Sequence, residues 1–355
     1  MRNLANEQTE KLIEEAEKRI RKEYQQATAE VKAKLDDYLR RFEIKDKAWQ
    51  KMVANGEKTK AEYLEWQKGQ LMVGKRWEEL KDTLAEDLHK ANLKARNIAN
   101  GYRAEAYALN HNYATFEVEK QALVDTSYTL YNRSTVEKVI KEEPELLPAP
   151  GAKMKKRLAE GKDIAWQKGQ LQSVTLQSIL QGESIPNMAK RIAKTMGESD
   201  HKATIRYART TMTSAQNAGR LDAYQRASDM GIKMKKTWVA TLDSRTRHDH
   251  RVLDGQTVDI DKPFVVNGRK IMSPGDPSAD ADLIWNCRCT MIAQIDGFER
   301  DISDLGLRHN SRLAGMSYEQ WEKGHGVSQS ITKQEEIAEG MKWKTVNELY
   351  KGKRK

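Results

Sequence analysis

Trp238-Val-Ala-Thr-Leu-Asp243-Ser-Arg-Thr-Arg-His248-Asp-His250 opens a segment that closes with Trp285-Asn-Cys-Arg-Cys289. Both cysteines of the 355-residue chain lie in the second motif. Between the two motifs the sequence alternates short apolar runs with turn residues. Most of the side chains suited to site chemistry are therefore gathered in one segment, and its folding determines whether they meet.

The segment has the pattern of a small β-unit at residues 233–296. Residues 233–241 alternate β-branched and aromatic residues with polar ones, as a half-buried strand does. Asn267-Gly268 lies between two short apolar runs, 264–266 and 270–272, and is the strongest hairpin signal in the chain. Asp254-Gly255 is typical of a tight turn, and residues 290–295 predict a further strand.

Three residues of this unit have the chemistry of metal ligands. Cys287 and Cys289 are two positions apart, so on a strand both thiols would face the same side and share a metal with His250. A fourth donor for tetrahedral zinc would come from Asp243 or His248. The alternative is that the thiols are small buried packing residues and that the histidines cap a turn.

The same residues allow a second functional hypothesis. Asp243, His248, His250 and Asp254 are the residue types of a metal-dependent nuclease or another phosphoryl-transfer enzyme. Magnesium, the usual metal in phosphodiester chemistry, prefers oxygen ligands, and the neighbouring cysteine pair does not fit such a site. A noncatalytic protein is the preferred interpretation.

The rest of the chain is predicted to be mainly helical, which gives an α+β fold class with long helices and one small β-unit. Two apolar stripes recur at steps of three and four residues, one from Ile13 to Phe42 and one from Trp77 to Tyr102. Another helix is expected to start at Ser184-Ile-Pro186 and end at Gly197, followed by one from about 201 to 230. Polar residues of this last helix, among them Arg209, Thr210 and Asn217, are interpreted as hydrogen-bonding support for the β-unit.

Prolines 144, 148 and 150 with Gly151 indicate the main boundary. The predicted division is a helical domain at 1–143, a Pro-rich linker at 144–151, a domain of helices and the β-unit at 152–298, and a C-terminal helical segment at 299–355. The hexapeptide Trp-Gln-Lys-Gly-Gln-Leu occurs at 66–71 and again at 166–171. It suggests an old duplication or coincidence and carries no functional inference.

Charge and composition limit the kinds of partner that the protein is expected to bind. The formal net charge is +10 and the pI is about 9.3, which favours an anionic partner such as double-stranded DNA. The basic end at 351–355 is suited to nonspecific phosphate contact. The N-terminal residues lack a secretory pattern, and no stretch has the length and apolarity of a membrane span. Two cysteines do not form a disulfide framework, in agreement with a reducing cytoplasm.

The motifs together resemble a known family. Lys236-Thr-Trp238, Asp243-Ser-Arg-Thr-Arg247, Leu253-Asp-Gly255, Pro274-Gly-Asp276 and Asn286-Cys-Arg-Cys289, with Asn217-Ala-Gly-Arg220 before them, are similar to the signature of the phage head-morphogenesis family over about residues 180–295. The resemblance implies a minor capsid protein of tailed bacteriophages that acts in procapsid assembly. It also implies association with the portal and with major capsid or scaffold proteins, nonspecific contact with packaged DNA, and location in the host cytoplasm during assembly and then inside the virion head.

This chain departs from the family pattern at several metal-ligand positions. Family members are expected to carry a Cys-x-x-Cys pair after the Asp-x-Arg-Thr element and a histidine shortly before Asn-Cys-Arg-Cys. Arg247 and His250 hold the pair positions here, and Ile284 and Trp285 precede Asn286. His250, Cys287 and Cys289 remain as the zinc ligands that the resemblance implies.

Overall fold

The computed structural model describes residues 4–126, 129–142, 147–148, 162–181 and 183–325. The helices in these ranges are α1 (Leu4–Arg40), α2 (Glu43–Ala54), α3 (Lys60–Leu71), α4 (Lys75–Ala122), α5 (Arg133–Glu142), α6 (Lys162–Leu180), α7 (Ile185–Asp229), α8 (His248–Leu253), α9 (Ala281–Ile284) and α10 (Tyr318–Gly324), with a short 3₁₀ helix at Ser311–Gly315. The strands are β1 (Val124–Asp125), β2 (Ile232–Val239), β3 (Thr257–Asp259), β4 (Phe264–Val266), β5 (Arg269–Ile271), β6 (Thr290–Phe298) and β7 (Arg308–His309).

The predicted fold class, α+β with long helices and one small β-unit, is confirmed. The two apolar stripes lie on α1 and α4, except for Phe42, which follows the end of α1, and most of their members are buried. Ile20, Val31 and Leu35 on α1 and Leu84 and Leu88 on α4 are at most 1% exposed. A step of 3.6 residues keeps such side chains on one side of a helix, so each stripe forms a core-facing surface.

The chain divides into two compact units, each built from separate segments. Unit 1 comprises 1–16, 99–152 and 206–355, and unit 2 comprises 17–98 and 153–205. Every boundary except that near 152 falls inside a long helix, where no change of composition marks it. The contiguous domains 1–143, 152–298 and 299–355 remain a prediction. Most of the linker 144–151 and the basic end 351–355 lie outside the described residues.

Unit 2 has a helical core to which both copies of the repeated hexapeptide contribute. Leu71 on α3 and Leu171 on α6 belong to the same buried cluster, together with Trp77, Leu84 and Ile192. Gln67 and Gln167, the second residue of each copy, are also buried. The two copies therefore have similar burial patterns, and their common role in the structure is packing.

The helix predicted to end at Gly197 continues without a break, so that prediction was wrong. Residues 185–229 form one helix of 45 residues. Gly197 lies against α1, where a Cβ atom would come within 2.1 Å of the Thr28 hydroxyl oxygen. The glycine allows close helix packing in the middle of α7 and does not end it.

The β-unit belongs to unit 1 and contains a three-stranded antiparallel sheet with the strand order β3-β2-β6. One face of the sheet packs on α7 through Ile232, Met234 and Met291, which share a core cluster with Leu221 and Tyr224. The hairpin predicted at Asn267-Gly268 is present as β4 and β5. Both turn residues have positive φ, 50° and 74°, as a two-residue primed turn requires.

The last described elements close against α4 of unit 1. β1 and β7 pair antiparallel, and α10 packs Tyr318 and Trp321 beside Phe116. Helix α10 begins with a capping box, in which the Ser317 hydroxyl accepts from the Gln320 N–H and the Gln320 side chain accepts from the Ser317 N–H. Among the described residues, no helix combines the length and apolarity that crossing a bilayer would require.

Candidate metal centre

The structure brings together the three predicted donors His250, Cys287 and Cys289. His250 lies on α8, and the two cysteines lie in the segment between α9 and β6. The His250 Nδ1 atom is 3.1 Å from the Cys289 Sγ and 3.7 Å from the Cys287 Sγ. The three ligand atoms lie within 4.8 Å of one another, and all three residues are buried. This is the donor set of a thiolate–imidazole metal site.

The cysteines do not lie on a strand, contrary to the prediction. They precede the first residue of β6, and the chain enters their segment through Asn286, which has a φ of 54°. The two thiols nevertheless approach the same imidazole, and the Cys289 N–H points to the Cys287 Sγ at 3.4 Å. The backbone geometry at Asn286 thus brings both thiols to the same side of the chain, which had been expected to result from the alternation of side chains along a strand.

The orientation of the imidazole is fixed from its far side. Its Nε2 atom lies 2.9 Å from the carbonyl oxygen of Leu283, which only accepts hydrogen bonds. Nε2 therefore carries the proton, and in the neutral ring Nδ1 presents its lone pair towards the two sulfur atoms. A backbone carbonyl that holds the distal N–H is the usual support of a histidine that binds metal.

The two thiols differ in acidity. The hydrogen bond from Cys287 and the neighbouring His250 lower the pKa of Cys289 below its usual range. The hydrogen bond to Cys289 and burial raise the pKa of Cys287. Cys289 is the thiolate of the pair, and the thiolate is the form of cysteine that binds metals.

Neither predicted fourth donor joins the group. Among the described residues, the cluster of donors that contains His250 includes only the two cysteines. Asp243 instead makes a bidentate ion pair with Arg288, with distances of 2.6 and 2.7 Å. That hydrogen bonding holds the pKa of Asp243 far below its usual range. The carboxylate is therefore engaged in fixing the loop.

The positions that depart from the family pattern contact each other. Arg247 donates from its guanidinium to the carbonyl oxygen of Trp285 at 2.8 Å. Its positive charge also acts on Cys287, whose pKa it lowers in opposition to the stronger effects that raise it. An arginine and a backbone carbonyl thus meet beside the three donors.

The residues of the nuclease hypothesis are engaged in separate structural contacts. The Asp254 carboxylate accepts from the Ala240 N–H at 2.8 Å, Asp243 pairs with Arg288, and His250 faces the cysteines. His248 begins α8 and is not part of the donor cluster.

Helix α7 holds the cysteine segment through a row of polar side chains. The Thr213 hydroxyl donates to the Cys287 carbonyl at 2.9 Å, and the Asn217 amide donates to the Cys289 carbonyl at 3.1 Å. Arg220 continues the row with a longer contact of 3.4 Å to the Met291 carbonyl. The three helix residues are four and three positions apart, so each step along the helix rises about 5 Å. The three carbonyls are two positions apart, about 6–7 Å along an extended chain. The two spacings are similar, so successive side chains of the helix reach successive carbonyls.

The polar residues of α7 were partly predicted in this role. Asn217 supports the β-unit as interpreted, and Thr210 accepts from the Asn286 N–H at 3.0 Å. Thr213 and Arg220 were not assigned to it, although they share the helical spacing of Asn217. That spacing of three and four residues is the feature of the sequence from which their role could have been predicted.

A second buried polar group fixes the Pro274-Gly-Asp276 motif. Lys236 on β2 is fully buried and donates to the Met272 carbonyl at 2.9 Å, while the Asp276 carboxylate accepts from the Met272 N–H. Burial lowers the pKa of Lys236 to about 7 and raises that of Asp276. Gly275 has a φ of 79° and lies against Ser214 of α7, where a Cβ would approach backbone atoms to 3.0 Å. The motif is therefore a packing element.

Comparison with known proteins finds relatives for the part of the chain that contains these residues. Residues 169–292, which include α7 and the donor cluster, match the family model described as Phage Mu protein F like protein. The minor head protein GP7 of Bacillus phage SPP1 is 27% identical over 315 residues, which cover 88% of this chain and 93% of that protein. The chain is thus similar to a phage minor head protein along nearly its whole length. The family match extends over nearly the same residues as the resemblance seen in the sequence.

Two other relatives share only part of their length with this chain. The NAD(+)–arginine ADP-ribosyltransferase EFV of Enterococcus faecalis is 28% identical over 232 residues, 64% of this chain and 45% of that protein. An uncharacterized protein of Haemophilus influenzae is 28% identical over 214 residues, 59% of this chain and 42% of that protein. The chain thus spans less than half of each of these two relatives. No solved structure matches it.

Proposed function

We propose that this protein is a noncatalytic minor head protein that acts in procapsid assembly, associated with the portal and in contact with packaged DNA. The observation that supports it most is the correspondence with the SPP1 minor head protein along 93% of that protein's length. A relationship over nearly the whole of both chains includes the helical segments as well as the β-unit. The proposed partners are the portal protein and the major capsid or scaffold proteins.

The donor cluster is proposed to bind structural zinc. His250 Nδ1 and the two cysteine sulfurs would supply three ligands, and the Leu283 carbonyl would keep the imidazole oriented. Bound zinc would crosslink α8 to the segment that leads into β6, so its contribution would be to the stability of the β-unit. With Asp243 paired to Arg288, the fourth position would fall to a ligand other than that carboxylate.

A noncatalytic role is supported by the way the candidate catalytic groups are used. Asp243 and Asp254 serve as hydrogen-bond acceptors for Arg288 and for the Ala240 backbone. The activity named for the Enterococcus protein belongs to a relative of which this chain spans 45%, and it is not proposed here. Incubation of the purified protein with plasmid DNA and Mg²⁺, Mn²⁺ or Zn²⁺ should give no cleavage. Cleavage that is lost in His250→Ala would support the nuclease instead.

DNA contact is proposed to be electrostatic and independent of sequence. The net charge of +10 favours it, and such binding weakens steeply as salt displaces protein from phosphates. Affinity for mixed-sequence duplexes should therefore be similar from one sequence to another and fall with salt concentration. Binding that persists unchanged at high salt would contradict this part of the proposal.

The proposed role in assembly is tested by the protein composition of the phage particles. Procapsids and virions of a phage that encodes this chain would be purified and analysed by quantitative mass spectrometry. The proposal predicts the chain in the procapsid, at a copy number well below that of the major capsid protein. Its absence from both particles would contradict the proposed function.

A further inference from the structure

A second group of metal-ligand side chains lies in unit 1, separate from the two cysteines. Glu119 on α4, Asp125 on β1 and His325, which follows the last residue of α10, each offer one ligand atom, and these atoms lie within 4.8 Å of one another. In the part of the chain that the structure describes, this group and that of His250 are the two sets of three or more such donors. We call the three residues the carboxylate–histidine cluster.

Glu119 is a buried carboxylate with no lysine or arginine partner among the described residues. The residue is 1% exposed. One oxygen accepts from the Thr126 N–H at 2.9 Å and from the Thr126 hydroxyl, and the other accepts from the Trp321 indole N–H at 2.6 Å. Its ion-pair contact is with the His325 imidazole, whose Nε2 atom is 3.9 Å from Oε2. Buried charges in proteins are paired or bound to metal, so these neutral donors leave Glu119 in need of a cation.

The imidazole of His325 presents a lone pair to this carboxylate. Its Nδ1 atom lies 2.9 Å from the carbonyl oxygen of Trp321, which only accepts hydrogen bonds, so Nδ1 carries the proton. In the neutral ring the lone pair is then on Nε2. The ring also packs on the Trp321 indole, with centroids 4.3 Å apart. A backbone carbonyl that fixes the distal N–H is the usual support of a histidine that binds metal.

The gap between the two acceptors has the dimensions of an ion site. The 3.9 Å between His325 Nε2 and Glu119 Oε2 is longer than a hydrogen bond. Two metal–ligand bonds of roughly 2.1 Å span up to about 4.2 Å, so one ion fits between these atoms. Two other histidine–carboxylate contacts of the described residues, His111 with Asp222 and His89 with Asp163, lack a third donor.

We propose that the carboxylate–histidine cluster binds a divalent cation of the Mn²⁺ type. Carboxylate oxygens suit Mg²⁺, Ca²⁺ and Mn²⁺, and of these the transition ion Mn²⁺ is the one to which an imidazole nitrogen is best suited. Asp125 and His325 are half-buried, so water has access to the remaining coordination positions. The ion would neutralise Glu119 and join the end of α10 to α4 and β1. The site is independent of the proposed zinc at the cysteines, whose thiolates suit a softer metal.

The test titrates the full-length chain with Mn²⁺ and follows the free ion by electron paramagnetic resonance. His325→Gln and Asp125→Asn each remove one ligand, and Glu119 is left unaltered because Thr126 and Trp321 donate to it. The matched controls are His309→Gln and Asp304→Asn, an exposed histidine on β7 and an exposed aspartate of the same unit. Circular dichroism and the thermal midpoint without metal confirm that each variant is folded.

The unaltered protein and both controls should bind about one Mn²⁺ per chain with similar affinity. His325→Gln and Asp125→Asn should each weaken binding about tenfold or more, since removal of a group that only orients a ligand already costs roughly 10- to 100-fold. Mn²⁺ should also raise the thermal midpoint of the unaltered protein and of the controls, because an ion bound only by the folded state stabilises it. The midpoints of the two site variants should respond much less. This pattern supports the site.

Other outcomes overturn it. Full Mn²⁺ binding by both site variants would place the ion elsewhere, and equal weakening by the control variants would show nonspecific binding to surface charges. Failure of the folded, unaltered protein to bind Mn²⁺ would remove the site. A His325 ring that then titrates in nuclear magnetic resonance with a pKa above the ordinary range of histidine would identify an ion pair with Glu119 instead. Each of these results would leave the proposed role in assembly intact.

Discussion

The side-chain amide of Asn217 donates a hydrogen bond to the backbone carbonyl of Cys289 at 3.1 Å, which joins helix α7 to the segment that carries both cysteines. Asn217 is fully buried, and the same amide also donates to the Thr213 carbonyl at 3.0 Å. The Thr213 hydroxyl donates in the same way to the Cys287 carbonyl. Both carbonyls precede β6, where no neighbouring strand of the described sheets pairs with the chain, so the two side chains supply their hydrogen-bond donors. The long helix thus acts as the support of the β-unit.

Replacement of Asn217 with alanine should destabilise the protein by about 1–3 kcal/mol, because the buried Cys289 carbonyl loses its donor. Urea denaturation of the full chain measures the change. Asn187→Ala, an exposed asparagine on the same helix, is the control and should lie within about 0.5 kcal/mol of the unaltered protein. Equal stability of the two variants would contradict the supporting role of Asn217.

Gly219 is expected to tolerate no side chain. A Cβ at this position would lie 2.4 Å from the Tyr107 carbonyl oxygen of α4, a backbone atom that cannot move alone. Gly219→Ala should cost about 1–3 kcal/mol or more, as overpacking does.

Gly169→Ala on α6 provides the opposite case. A Cβ at this position would have no atom within 4 Å, so alanine should stabilise the helix by up to about 1 kcal/mol. Thermal midpoints of the two variants should therefore move in opposite directions. A Gly219→Ala protein as stable as the original would show that α4 and α7 are not in such close contact.

Zinc binding should depend on the cysteines and not on Asp243. Protein purified under reducing conditions without chelator is expected to contain about one zinc per chain by elemental analysis. Cys287→Ser and Cys289→Ser should lose it, whereas Asp243→Asn should keep it because that carboxylate pairs with Arg288. Metal-free protein of full stability would contradict the zinc proposal, and loss in Asp243→Asn would identify Asp243 as a ligand.

Asp222 should make stability depend on pH. Burial raises the pKa of Asp222 from 3.8 to about 6, although Tyr107 and Arg226 donate hydrogen bonds to it. A raised acid pKa contributes stability that is present below pH 3.8 and is lost as the pH rises through about 6. At about 1.4 kcal/mol per pKa unit, the full effect is about 3 kcal/mol.

Asp222→Asn cannot ionise and provides the comparison. The free energy of unfolding of the original protein, minus that of the variant, should fall between pH 3.8 and about 6. Groups common to both proteins cancel in this difference. A difference that is constant across the range would show that Asp222 titrates at its ordinary pKa.

Periodicity and turn residues predicted the parts of the fold whose cause is local. The stripes of α1 and α4 and the Asn267-Gly268 hairpin depend on spacing and on backbone preferences that neighbouring residues determine. Gly197 was misjudged because the reason for a glycine there is Thr28, which is distant in sequence. The two units escaped prediction since their boundaries lie inside continuous helices.

The donor residues of the candidate site could be predicted from the sequence, but the contacts around them could not. His250, Cys287 and Cys289 are recognisable by residue type, and the structure groups them. The pairing of Asp243 with Arg288 and the contact of Arg247 with Trp285 depend on loop geometry that spacing does not encode. The ion pair with Arg288 explains why Asp243 does not join the three donors.

The proposed role as a minor head component at the portal is tested most directly by cryo-electron microscopy of procapsids. Particles from a phage that encodes the chain would be compared with particles from the same phage carrying a deletion of its gene, with reconstruction focused on the portal vertex. If the protein has this role, density beside the portal should accommodate the long helices α4 and α7 and disappear on deletion. Identical portal vertices in the two reconstructions would contradict it.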